Sequence, residues 1–138
     1  HPEGRGLKDS MQNAFKDARV SSSSIDYVNA HAPSTPIGDA SEMKALKATF
    51  SESQSIKFSS TKALTGHGLS LSSIMEAAFC CLALKDGFLP GSANVSSPDP
   101  EIGHLHLLRE TIQEQATLIL SNSSGFGGAN VSLIFEKV

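Results

Sequence analysis

The residue types that could do chemistry gather in three polar stretches, 29–39, 60–67 and 122–130. His31 and His67 stand in the first two, and a neutral imidazole there can offer an N–H or pass a proton. The third holds Gly125-Phe126-Gly127-Gly128, a run that lets backbone N–H groups approach a bound molecule and equally makes an ordinary tight turn with positive φ. Each feature has a structural reading beside the chemical one, since a loop histidine pairs easily with a nearby backbone group.

Other constellations carry less. Cys80 and Cys81 with a histidine would suit covalent catalysis. They sit in mid-helix, away from any helix start or cation that would lower a thiol pKa, so both read as small packing residues. His104 and His106, two apart on a candidate strand, would face one way, but no third ligand lies at short spacing and no metal site is expected. A dinucleotide fingerprint would need a third glycine where Asn130 stands, and a helix after it.

Positioning these groups falls to alternating elements. Leu7, Met11, Phe15 and Ala18 recur at three- and four-residue spacing and predict a helix over residues 6–20. Ile25, Tyr27 and Val28 predict a strand, and the prolines at 33 and 36 end it. Asp39 reads as the cap of the next helix, with Glu42 as its capping-box partner and Met43, Leu46 and Phe50 along its face. A second strand over 56–59 leads into a loop over 60–68. Residues 71–84 carry Glu76 as their single charge, which predicts a helix sandwiched between layers and stopped at Gly87. Short strands are expected over 105–108, 117–120 and 131–135. This order gives a layered α/β fold with a mixed sheet and a buried helix, and strand ends in such sheets are where sites gather.

Composition narrows the classes. Eleven Lys and Arg against fourteen Asp and Glu, a net charge of -3, and no basic run argue against nucleic acid or an anionic membrane as partner. The longest nearly apolar stretch is interrupted by Ser70, Ser72, Ser73 and Glu76 and is too short for a bilayer span. Two adjacent cysteines cannot form an ordinary disulfide in a regular element, which fits a reducing, cytoplasmic setting.

Taken together, Val28-Asn29-Ala30-His31-Ala32-Pro33-Ser34-Thr35-Pro36-Ile37-Gly38-Asp39, Ser60-Thr61-Lys62-Ala63-Leu64-Thr65-Gly66-His67 and Ser121-Asn122-Ser123-Ser124-Gly125-Phe126-Gly127-Gly128-Ala129-Asn130 resemble, in order and spacing, the C-terminal half of the β-ketoacyl-acyl-carrier-protein synthases. The resemblance runs along essentially the whole chain. It implies the thiolase-like fold, two similar α/β halves packed as layers, with this chain as the second. It also implies decarboxylative Claisen condensation with malonyl on acyl carrier protein in fatty acid biosynthesis, no cofactor, and a homodimer in the full-length protein. The nucleophilic cysteine belongs to the missing N-terminal half, so the chain alone is expected to be inactive. The alternatives are a non-catalytic chain-length-factor subunit and a polyketide ketosynthase domain.

Residue by residue, His31 and His67 match the family's catalytic histidines, Lys62 its active-site lysine, and Glu76 a carboxylate near that lysine. Pairing makes physical sense there, because either charge alone in an apolar layer is expensive; the competing reading has Glu76 reaching back to solvent. Phe126 matches the acyl gate, whose backbone N–H completes the oxyanion hole, and Thr35, Gly127 and Gly128 match substrate-binding positions. Asp39 and Glu42 match acidic positions and read as structural. Pro33 stands where the family usually has a threonine that holds the pantetheine arm, Ser124 where a phenylalanine is common, and residues 68–73 where small glycine and alanine residues are usual.

Overall fold

In the computed structural model, which describes residues 1–53 and 55–138, the elements run α1 (Arg5–Ala18), β1 (Tyr27–Asn29), α2 (Pro36–Thr49), β2 (Lys57–Ser59), the single turn α3 (Lys62–Thr65), α4 (Ser72–Asp86), β3 (Phe88–Leu89), β4 (His106–Leu107), β5 (Ile112–Gln113), β6 (Leu118–Ser124) and β7 (Asn130–Glu136). Five strands form one sheet in the order β4-β2-β1-β6-β7, parallel except for β7, which returns antiparallel to β6. Alternation along the strands assigns the layers. Val28, Ala30 and Leu120 pack with Leu7 and Met11 of α1, Leu46 of α2 and Phe50 just after it on one face; Tyr27 and Ile119 pack with Cys80, Ala83 and Leu84 of α4 on the other.

The expected mixed sheet and layered order are therefore present, with differences in detail. The first strand begins at Tyr27 because residues before it make a single 3-10 turn that Ile25 ends. Residues 62–65 of the expected loop form the turn α3. The strand expected over 117–120 runs on to Ser124, so Asn122 and Ser124 are ladder residues and the polar loop shrinks to 125–129. Strands β3 and β5, two residues each, have no period to read and pair with one another. His104 lies in the turn before β4, so His104 and His106 are not a two-apart strand pair.

Two acidic residues also act differently from the capping roles expected for them. Helix α2 starts at Pro36, whose fixed φ suits a first helical position, with Thr35 in the cap position. Asp39 is inside the helix, and its Oδ1 accepts from the Thr35 backbone N–H at 3.2 Å. Glu42 is buried and turned toward the chain leaving β1, not toward the helix start.

Helix α4 corrects the expectation of burial on nearly every side. Ser72, Glu76, Cys80, Ala83 and Leu84 are buried, whereas Leu71 just before it and Ile74 and Leu82 on it are exposed. One apolar face is covered by the sheet and the other is bare in this chain. Gly87 ends the helix as expected, at φ 74°, with its N–H bonded to Ala83 O. Among the described residues no helix is long and apolar enough to cross a membrane.

The α1–α2 contact depends on Gly4. It precedes α1 at φ 63°, and a Cβ there would lie 2.2 Å from Ser41 O and 2.8 Å from Ala45 Cβ. Gly4→Ala in the complete protein is expected to destabilise it by about 1–3 kcal/mol or more, the left-handed penalty plus the clash; an unchanged denaturant midpoint would show that the two helices can separate freely.

Candidate active site

Strands β2, β1 and β6 lie side by side and parallel, with Asn29 in register with both Ser59 and Ser121. Their C-terminal ends therefore open on one edge of the sheet, and each releases one of the polar stretches there. That topology brings together residues from 30 apart in sequence, Asn29 and Ser59, to 92 apart, Asn29 and Ser121.

From β1 the chain passes through Ala30 to His31, then through Ala32 at φ 26° and Ser34 at φ 66°. Residues with a Cβ hold such angles only when something fixes the backbone. Glu42 does so here: its Oε1 accepts from His31 N–H at 3.0 Å and its Oε2 from Ala32 N–H at 2.7 Å. Burial pushes the Glu42 carboxyl up to about 7, against the two amide donors, which favour the anion. Burial first, then Lys62 and His67, push the His31 imidazole down to about 4, so it is neutral at physiological pH. Its Nδ1 is buried and finds no protein partner among the described residues.

From β2 the chain enters α3, where Lys62 forms an ion pair with Glu76 of α4. Glu76 is 2% exposed, which excludes the reading in which it reaches solvent. Burial raises its carboxyl above the ordinary value, against the opposing pull of Lys62. The chain then turns at Gly66, φ 72°, to present His67. The His67 and His31 rings lie 5.2 Å apart, edge to face at 83°. His67 Nδ1 accepts the Leu69 backbone N–H at 3.1 Å and lies 3.0 Å from Ser72 Oγ. An amide N–H only donates, so Nδ1 is unprotonated and the ring proton sits on Nε2.

Two pockets flank the histidines. One of about 670 Å³ is lined by Pro33, Thr35, Lys62 and His67 together with Phe58 and Leu107. The other, about 250 Å³, is lined by His31, Glu42, Ser124, Gly128 and Asn130. His31, His67, Lys62 and Glu76 are thus one cluster, and Thr35 and Gly128 border it. Phe126 is 96% exposed in a single turn beyond β6 and is not part of that cluster. Gly127 and Gly128 have φ of 73° and 82°, and a Cβ at either would meet nothing within 4 Å. Backbone conformation, not crowding, accounts for glycine there.

The family model for the beta-ketoacyl synthase C-terminal domain matches residues 1–106. The chain belongs to that family. It is 42% identical over 99% of its length to a 3-oxoacyl-[acyl-carrier-protein] synthase 2 of Staphylococcus aureus, covering 33% of that protein. A solved beta-ketoacyl synthase from Burkholderia phymatum superposes with a TM-score of 0.93 at 34% identity, over 99% of this chain and 33% of that one. A type II PKS acyl-carrier protein in complex with its ketosynthase, bound to the hexaketide, gives 0.94 at 28% identity, over 100% of this chain and 34% of that one. The fold is therefore that of the ketosynthases, and the chain spans about a third of the length of the relatives it matches.

Sequence reasoning on this ketoacyl synthase domain missed two contacts. The Glu42 clamp was hidden because a carboxylate near a helix start reads as a cap. Ser72 gave no signal because a serine at a helix start has the same default reading. Cys80 is buried, as expected of a packing residue, with its thiol pushed up to about 12 chiefly by burial, whereas Cys81, expected to pack as well, is exposed.

Two measurements on the complete protein check this geometry. Glu42→Gln places an NH₂ against one of the two backbone N–H groups, and should cost about 1–3 kcal/mol in denaturant unfolding. A neutral result would mean that the amides find other acceptors. His31, neutral in the fold, takes a proton when unfolded as pH drops below about 6.5 but in the folded state only near 4, so protonation favours unfolding in that window. The melting temperature of His31→Gln relative to the parent should rise as pH is lowered from 6.5 to 4. A difference independent of pH would refute the buried neutral ring.

Proposed function

We propose that this chain is the second half of a β-ketoacyl-acyl-carrier-protein synthase that extends acyl chains in fatty acid biosynthesis. The observation that carries the reading is the pair of imidazoles 5.2 Å apart on the strand-end edge, one of them a fixed Nε2–H donor, beside the Lys62–Glu76 pair. An acyl group waits as a thioester on a cysteine of the first half. Malonyl on the pantetheine arm of acyl carrier protein loses carbon dioxide, and the electrons of the broken C–C bond form an enolate. His31 and His67 donate N–H to the thioester oxygen where that charge appears, and preorganised donors of this kind are each worth about 2.7–4 kcal/mol. The enolate carbon then attacks the acyl thioester, the cysteine leaves as thiolate, and a β-ketoacyl carrier is released.

In this reading Lys62 contributes positive charge near the enolate and is kept in place by Glu76. Thr35, Gly127 and Gly128 border the substrate, and Phe126 gates the acyl side with its backbone N–H in the oxyanion hole. Exposure of Phe126 suits a part that moves against groups outside this chain. The carrier is acyl carrier protein, the protein acts in the cytoplasm as a homodimer, and the bare face of α4 packs against the first half. A chain-length-factor subunit has no need of both histidines and the buried lysine, and their joint retention favours the enzyme.

The half-reactions separate the roles. In the complete protein His31→Ala or His67→Ala should slow malonyl decarboxylation by roughly a hundredfold to a thousandfold, while acyl loading of the cysteine changes much less. Lys62→Ala should depress decarboxylation as well. Equal loss of both half-reactions in the histidine variants, or no loss of either, overturns the assignment.

A further inference from the structure

Ser72 is the first residue of α4, 5% exposed, with its Oγ 3.0 Å from His67 Nδ1. Leu69 N–H already claims that nitrogen as an acceptor at 3.1 Å. A hydroxyl has one proton to give and two lone pairs to accept with, and beside an unprotonated Nδ1 it can only give. Two donors therefore address the same edge of the ring. The Leu69 amide reaches it from a residue with φ 52°, a left-handed angle that is unfavourable for a bulky side chain. The hydroxyl comes instead from a fixed helix: Ser72, Glu76, Cys80 and Ala83 form the buried stripe of α4, held to α3 by the Lys62 ion pair and to the sheet by Tyr27 and Ile119.

We infer that Ser72 is a positioning residue for decarboxylation, acting through His67: its hydroxyl joins the Leu69 amide in keeping the imidazole in the Nε2–H tautomer, and from its fixed helix it holds the ring in one orientation before substrate arrives. The two histidines are thereby fixed by different means. Among the described residues His31 has no partner on Nδ1 and is held through its backbone by Glu42, whereas His67 is held at the ring nitrogen itself. Ser72 falls in the stretch where the resemblance gives glycine and alanine, neither of which could supply this bond.

The inference rests on His67 as a donor to the malonyl enolate, and the test keeps the two claims apart. The full-length protein carrying this chain is compared with Ser72→Ala, Ser72→Thr and His67→Ala, each assayed for malonyl decarboxylation and acyl loading. The parent and the Ser72 variants are also examined by ¹⁵N-histidine NMR, with the His67 signals assigned by their loss in His67→Ala. Ser72→Ala is expected to lower kcat for decarboxylation about three- to tenfold, the scale of one neutral hydrogen bond. KM for the malonyl carrier and acyl loading should stay unchanged, and the ring signals should move toward a mixture of tautomers. Ser72→Thr, which keeps the hydroxyl, is expected to restore both rate and signals. Parent-like kcat and ring signals in Ser72→Ala overturn the inference, as does an equal loss in the Ala and Thr variants with unmoved signals, which would mark packing. Full decarboxylation in His67→Ala overturns the reading of the site, and this inference with it.

Discussion

Taking a lysine and a glutamate out of water costs several kcal/mol per ion, roughly, unless each finds the other in good geometry. Lys62 and Glu76 do so between the sheet edge and α4, with 9% and 2% of their surfaces exposed. The pair ties the turn after β2 to the second turn of α4, and helical periodicity passes that constraint along the stripe. One turn before Glu76, Ser72 comes under His67; one turn after it, Cys80 enters the core against Tyr27 and Ile119. Removal of either partner would leave a buried charge unpaired, a loss of about 3–5 kcal/mol. A neutral apolar pair could pack as well, but it would lose the positive charge that Lys62 places near His31.

The same edge shows why the strands are short. β1 and β2 have three residues each, enough to fix register and layer, and everything after them serves the polar edge. Strain is concentrated there too. Ala32, Ser34 and Leu69 all take positive φ within two residues or three of a histidine. Such angles persist where neighbours over-determine the backbone. Glu42 and Asp39 provide that on the His31 side, each accepting backbone N–H groups from the loop ahead of α2.

Much of this arrangement was legible in the sequence, for reasons that differ by element. The periods of α1 and α2, the turn at Gly87 and the three polar stretches are local signals, and they mark real elements. The layered α/β class with a mixed sheet follows from the alternation of helices and strands, whereas the order of the strands in the sheet does not. Capping was misread because Asp39 and Glu42 satisfy a local rule that Thr35 and Pro36 also satisfy, and only the path of the chain after β1 decides between them. The β3–β5 pair and the length of β6 depend on partners distant in sequence, and serines and asparagine at 121–124 give no strand period. The cluster of His31, His67, Lys62 and Glu76 was reached through resemblance; no spacing in the chain alone would have joined them.

Helix α4 carries the argument one step further. An ordinary surface helix hides apolar residues and shows polar ones. Here the buried stripe holds Ser72 and Glu76, while Leu71, Ile74, Ala78 and Leu82 lie along the bare side at helical spacing. The inner stripe is polar only over its first turns, where Ser72 and Glu76 meet His67 and Lys62, and apolar from Cys80 onward against the sheet. In the proposed synthase a second layer covers that outer face, and the ion pair at Glu76 is then enclosed from both sides. Its dielectric surroundings would fall further, strengthening the hold of Lys62 on Glu76 and the field of the lysine at the histidines. Folding of the bare face and tuning of the site would therefore be one event, which is a physical reason for a catalytic edge to be built where two layers meet.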